Sequence, residues 1–215
     1  MTKPFQIAID GPAASGKGTL ARRLAQELGF AHLDTGKLYR AVAAKMLQSG
    51  QDPADEAAGV RMAASLKETI LNENLADPAL MADEVGQAAS QVASLPGVRF
   101  ELKMLQQNFA AEQKPGVVMD GRDIGTVICP QADVKFFIVA DVGVRAQRRY
   151  KELERTGVSY EAVLADMKAR DARDTERATA PLKAAEDALV IDTSELDAEQ
   201  AYAKVRTIVR DRLKI

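Results

Sequence analysis

Tryptophan is missing from the 215 residues, histidine occurs once (His32) and cysteine once (Cys129). Each shortage closes off some chemistry. A single cysteine leaves no internal disulfide and fits a reducing, cytoplasmic setting. A single histidine rules out base catalysis by a histidine pair. Aromatic residues make up 5% of the chain, which leaves few stacking platforms for single-stranded nucleic acid. The formal net charge is −2, so no global field draws the chain to nucleic acid or an anionic membrane. Any basic site must be local. No apolar run is long enough to span a bilayer. The opening "MTKPFQIAID" carries no apolar signal region, so no targeting segment is expected. Hydrophobic residues are plentiful at 47%, enough for a sizeable core. The length suits one domain with room for a small insert or lid.

Short apolar runs at Phe5–Ile9, Phe30–Leu33, Val117–Met119, Val134–Ala140 and Leu189–Ile191 read as strands. They lack strict alternation, as strands of a parallel sheet covered on both faces do. Helical patterns occupy Lys17–Leu28, Gly36–Ser49, Glu84–Ala93, Val98–Glu112, Val144–Thr156, Tyr160–Arg173 and Ala198–Leu213. Strand alternating with helix predicts an α/β fold with right-handed crossovers. The gap between the second and third strands is far longer than a crossover needs. Residues 52–114 are therefore expected to form a mostly helical insert, with the core in residues 1–51 and 115–215. The stretch Asn72–Asp83 has the weakest pattern and reads as a loop. His32, within a short strand, and Cys129, after an apolar run, read as structural.

The stretch "GPAASGKGT", Gly11–Thr19, follows the first strand and opens a helix. This is the setting a phosphate-binding P-loop requires. Backbone N–H groups of such a loop curl round a phosphate at the positive end of a helix. Gly11, Gly16 and Gly18 allow close approach, around Pro12, Ala13, Ala14 and Ser15, and Lys17 supplies a point charge. Gly18 stands where the Mg²⁺-binding hydroxyl usually does. Thr19, one residue deeper, is left to touch a phosphate or a metal-bound water.

Three further clusters fall near the same rim, because open parallel sheets bind ligands at the carboxyl ends of their strands. "LDTGKLYRA" ends the second strand; Asp34 or Thr35 caps the next helix, and Thr35 and Arg40 point to the crevice. "MDGRDIG" puts Asp120 at the end of the third strand, where a carboxylate can organise Mg²⁺ and its waters. Arg122 and Asp123 follow it. "RDARDTER" places Arg170, Asp174 and Arg177 on one helical face. An upstream face of Arg145, Arg148 and Arg149 offers arginines to close over donor phosphates as a lid. A nucleotide phosphate needs no base, since its second pKa is near ~6. It needs relief from repulsion, which guanidinium forks supply. The arginines Arg40, Arg99, Arg122, Arg170 and Arg177 thus favour a phosphate acceptor over an alcohol. Another small-acceptor kinase, or a nucleotide-dependent switch without turnover, is not excluded by these residues alone.

The segments "IDGPAASGKGTLA", "LDTGKLYRA", "QAASQVASLPGVR", "DGRDIGTVICPQADVKFFI" and "RDARDTERATAPLKAAEDALVIDTS", in that order, resemble the bacterial cytidylate kinases. The resemblance implies a P-loop five-stranded parallel sheet with an NMP-binding insert and an Arg-rich lid at about residues 150–180. It implies transfer of the ATP γ-phosphate to CMP or dCMP with Mg²⁺, by a cytoplasmic protein that is expected to be a monomer. Carried over, Gly11–Thr19 bind ATP. Thr35, Arg40, Ser90, Arg99, Arg122, Asp123, Arg170, Asp174 and Arg177 bind the acceptor. Lys17, Asp120, Arg122 and Arg177 carry catalysis. No protein side chain is expected as a dedicated metal ligand; phosphates and water hold Mg²⁺, with Thr19 and Asp120 assisting. Asp123 would accept from the cytosine 4-amino group, while Ser90 and Arg170 would stand near Asp174 at the sugar. The insert departs from the pattern: it is short, and Met81 stands where the family has an arginine.

Overall fold

The computed structural model describes residues 3–69, 75, 77–153 and 157–214. Five strands form one sheet: β1 (Phe5–Asp10), β2 (Ala31–Asp34), β3 (Gly116–Gly121), β4 (Val134–Val139) and β5 (Leu189–Asp192). All pairings are parallel and the order is β2-β3-β1-β4-β5. This is the sheet expected from the sequence. β1 and β3 lie inside it, which is why "IAID" and "VVMDG" are buried throughout.

The helices are α1 (Lys17–Leu28), α2 (Thr35–Gln48), α3 (Glu56–Thr69), α4 (Asp83–Val92), α5 (Pro96–Glu112), α6 (Val142–Leu153), α7 (Tyr160–Glu176) and α8 (Ala198–Leu213). Their ends follow local chemistry. Gly16 and Gly29, both at positive φ, bracket α1. Ser159 accepts from the Ala162 N–H to start α7. Asp197 and Gln200 close a reciprocal capping box at α8. Pro96 sits in the first turn of α5, where its missing N–H costs nothing.

One face of the sheet packs on α2–α5 through residues such as Leu38, Met46, Val98 and Leu102. The other packs on α1 and α8 through Leu24, Phe136, Ile191 and Val205. Each fully buried Leu, Ile or Phe contributes roughly 1.5–3 kcal/mol. The insert between β2 and β3 is helical, as expected, and it also contains α3, a helix the sequence pattern does not delimit. Within the stretch expected to be a loop, residues 72–74 and 76 lie outside the described residues. Pro78–Met81 forms a 3₁₀ turn capped by the Asp77 carboxylate, and Asp83 already begins α4. The expected end of the sixth helix at Thr156 also lies outside them. Arg177 is a correction: α7 stops at Glu176, and Arg177 takes an extended ψ of 138°. It therefore leaves the helical face that Arg170 and Asp174 share.

Candidate active site

Strand ends form the floor. The register sets Asp34 opposite Asp120 and Asp10 opposite Gly121. Carboxylates from three adjacent strands thus crowd one rim. Burial pushes Asp10 up to about 7, against two backbone N–H bonds that pull it down. Burial, then the charge on Asp120, raises Asp34. Asp120 takes a hydrogen bond at 2.9 Å between its Oδ1 and His32 Nε2. Its Oδ2 faces Gly18, whose Cβ, if present, would lie 3.5 Å away. His32, expected to be purely structural, instead orients the one carboxylate nearest the start of α1.

The loop above this floor is tightly held. Gly11 has φ 154°, and a Cβ there would lie 2.1 Å from the Ile138 carbonyl oxygen. Ala14 and Gly16 also have positive φ. The Arg145 guanidinium grips Asp171 at 2.6 and 3.2 Å and donates to the Ala13 carbonyl at 3.3 Å. Thr193 donates to the Ser15 carbonyl. Arg145 is thus a buried brace and not a mobile lid group, a second correction. Arg148 and Arg149 do line the cleft. Lys17 reaches back to the Pro12 carbonyl at 3.1 Å. Burial, then the Arg122 charge, pulls its ammonium down to about 7. Ser15 is fully buried, and its hydroxyl has no protein partner. Thr19 is exposed on the first turn of α1.

A cleft of about 630 Å³ runs from residues 13–19 to Arg40, Arg122 and Arg170. Of the three, Arg122 forms a close ion pair with Asp174, and Asp34, Asp83 and Asp120 line the same cleft. Arg122 Nε donates to Asp174 at 2.7 Å; burial alone would lower its pKa, and Asp174 more than offsets that. Burial, then Arg122, pulls Arg170 down to about 10, and its Nε has no partner. Burial, then Arg149, lowers Arg40. An anion entering the cleft would favour the charged forms of Arg40 and Arg170, which burial holds down.

Behind the arginines lies a second, buried cluster that does not line the cleft. Arg99 pairs with Asp123 and donates to the Ala93 carbonyl at 3.1 Å. Its guanidinium lies 5.7 Å from the Tyr39 ring centre. Arg177 stands nearby, pulled down by burial and then by Arg99, with Nη2 unpartnered. Asp174, though buried, is held below the usual carboxylate range by Arg122 and Arg170. Thr35 turns beneath the floor, donating to the Asp120 carbonyl at 2.9 Å. Ser90 accepts from Arg173 at 3.3 Å. Sequence reading passed over Asp10 and Tyr39, and took His32 as structural. A carboxylate ending β1 directly before the glycine loop was the available signal for Asp10. Among the described residues, no group of three or more His, Cys, Asp or Glu could hold a metal ion.

A parallel sheet carrying a phosphate loop that faces an arginine-lined acceptor wall defines a P-loop phosphotransferase of the small-molecule kinase type. Solved structures show the same fold. A protein of uncharacterised function from Eubacterium ventriosum matches 97% of this chain and 99% of its own, with a TM-score of 0.57 at 16% identity. Shikimate kinase from Bacteroides thetaiotaomicron matches 98% and 99%, with a TM-score of 0.50 at 13% identity. The family model for cytidylate kinase matches residues 7–211. The cytidylate kinase of Paramagnetospirillum magneticum is 56% identical over 94% of this chain and 96% of its own length. That of Bartonella bacilliformis is 51% identical over 98% and 97%. The chain belongs to the cytidylate kinase family: it is a kinase, with the CMP/dCMP kinase function of that family and ATP as phosphate donor. No described helix is long and apolar enough to cross a membrane.

Proposed function

We propose a division of labour for this kinase along the cleft. The observation that carries it is the placement of residues 13–19 opposite Arg40, Arg122 and Arg170 within one cavity. ATP lies on Gly11–Thr19, its phosphates taking backbone N–H bonds and the Lys17 ammonium. The acceptor phosphate lies on Arg40, Arg122 and Arg170, with Arg177 arriving from behind. Cytosine occupies the Arg99–Asp123 cluster. The 4-amino group donates to Asp123, and Arg99 serves the ring N3 and O2. Uracil would set a carbonyl against that carboxylate. Asp174 serves the sugar hydroxyls, with Ser90 and Thr35 bordering the acceptor.

The Asp120 side chain fits an assisting role toward Mg²⁺: Oδ1 is occupied by His32, and Oδ2 is turned to the start of α1. Thr19 follows Gly18 in the first turn of α1 and is exposed. Mg²⁺ would supply charge neutralisation on the donor phosphates, held mainly by them and by water. The chain's own part is positioning and charge. Lys17, Arg122 and Arg177 neutralise the repulsion between donor and acceptor. Residues 1–51 and 115–215 act as the core, 52–114 as the acceptor-binding insert and about 150–180 as the lid. Contacts such as Arg149–Asp83 and Gln87–Asp166 tie lid to insert and exclude water that would hydrolyse ATP. The protein is read as a cytoplasmic monomer; its single cysteine, buried and free, fits a reducing compartment.

The test is ADP release measured with CMP, dCMP, UMP, AMP and shikimate as acceptors. CMP and dCMP should lead. Preference for any other acceptor overturns this assignment.

A further inference from the structure

Asp10 is 4% exposed, and neither donor nor acceptor binding uses it. It ends β1, immediately before the Gly11 turn that Ile138 crowds. Its side chain does not cap the phosphate loop. It crosses to the loop after β3 and accepts from the N–H groups of Ile124 at 2.8 Å and Gly125 at 2.7 Å. These are the first two amides of a π-helical turn, Ile124–Ile128. Such amides have no partner within their own turn and need an outside acceptor when buried.

The residue placed to cap that turn is Asp123, at φ −146° and ψ 24°, yet its side chain makes no capping bond. Asp is among the strongest capping residues, so its failure to cap needs a cause. On the next strand, Asp10 already holds the first two amides of the turn, one of them an amide that a cap would take. The Asp123 carboxylate is left free, and it turns to Arg99.

We propose that Asp10 is a positioning residue for cytosine selection, capping the Ile124–Ile128 turn from a neighbouring strand so that Asp123 is released from capping and faces the base. The inference rests on reading Asp123 as the cytosine-facing carboxylate. It also ties the two nucleotide sites together, because one residue joins the start of the phosphate loop to the acceptor loop.

Asp10→Asn keeps the shape but gives one acceptor where two are needed, and turns an NH₂ against an N–H. Asp123 then becomes the best acceptor for the freed amide. The full chain should show a CMP KM raised about tenfold and a CMP-over-UMP preference reduced about tenfold, the loss of one buried hydrogen bond of about 1.4 kcal/mol. The ATP KM should stay within about twofold of wild type. An unchanged preference, or equal losses toward ATP and CMP, overturns the inference. If Asp10→Asn does not fold, Gly125→Ala decides. Its methyl would lie 3.4 Å from Asp10 Oδ2 and 3.2 Å from Lys135 Cδ, at a glycine with no positive φ. It should lower the preference in the same direction, by a few-fold; no change overturns the inference. Asp123→Ala separates the two readings. If it keeps the preference, the base-facing role of Asp123 fails. If it loses the preference while Asp10→Asn retains it, only the role of Asp10 fails.

Discussion

Gly86 lies inside α4, where a glycine costs about 0.5–1 kcal/mol relative to alanine. The structure shows what occupies the missing side chain's place. Arg40, on α2, passes over Gly86 and donates from Nη1 to the Leu80 carbonyl at 2.7 Å. A Cβ at residue 86 would lie 2.8 Å from Arg40 Nη2, 3.1 Å from Nη1 and 3.2 Å from Cζ. Comfortable contact needs about 3.5–4.0 Å, so Gly86→Ala pushes the guanidinium back by roughly 1 Å. The bond to Leu80 then breaks, and Arg40 no longer meets an acceptor phosphate squarely. Hydrogen bonds to charged groups contribute about 1.5–3 kcal/mol, which corresponds to a CMP KM about 10–100-fold higher. Folding should change modestly. The displaced atoms are the flexible end of a side chain, and the helix gain of about 0.5–1 kcal/mol offsets part of the lost bond. The melting temperature should fall by no more than about 10 °C, and the ATP KM should not move. Steady-state kinetics with each substrate varied, plus a thermal melt, test this. In an Arg40→Ala background, Gly86→Ala should have no further effect on the CMP KM. A CMP KM within twofold of wild type, or additive effects in the double variant, refutes the reasoning.

Two other outcomes follow from the donor half. Burial and then the Arg122 charge pull the Lys17 ammonium down to about 7, and triphosphate anions raise it again. At pH 8 ATP binding should therefore take up about one proton, and ATP affinity should fall as pH rises above 7, where the free site is already neutral. Calorimetry in two buffers of different ionisation enthalpy measures the uptake, and zero uptake contradicts the assignment. Gly11→Ala would put a methyl against the Ile138 carbonyl at 2.1 Å, at φ 154°. Both partners are backbone, so no rotamer relieves the clash. A loss of more than about 4 kcal/mol is expected in denaturant unfolding, and a variant of near-native stability contradicts it.

Local pattern carried much of this protein. The buried strands were legible because their apolar runs are short, dense and followed by turn residues. The glycine loop was legible because its backbone conformation demands glycine at Gly11 and Gly16. Candidate acceptor arginines could be named because phosphate chemistry needs many of them and the chain supplies them in clusters. Where each side chain finds its partner was not legible. Arg145 looked like a lid residue, but folding brings Asp171 and the Ala13 carbonyl to it from elsewhere in the chain. Ser90 met Arg173 for the same reason.

The sequence alone determined the strand–loop–helix units, the helical character of the insert and the class of ligand, since these depend on periodicity, backbone freedom and charge type within a few residues. Only the tertiary structure decided which carboxylate does what. Asp10, Asp34, Asp120 and Asp123 are chemically alike on paper. Strand order places β1 and β2 on either side of β3, and that placement gives Asp120 to His32, Asp10 to the Ile124 and Gly125 amides, and Asp123 to Arg99. Contacts between segments 24 to 115 residues apart in the chain set those pairings, and no local pattern encodes them.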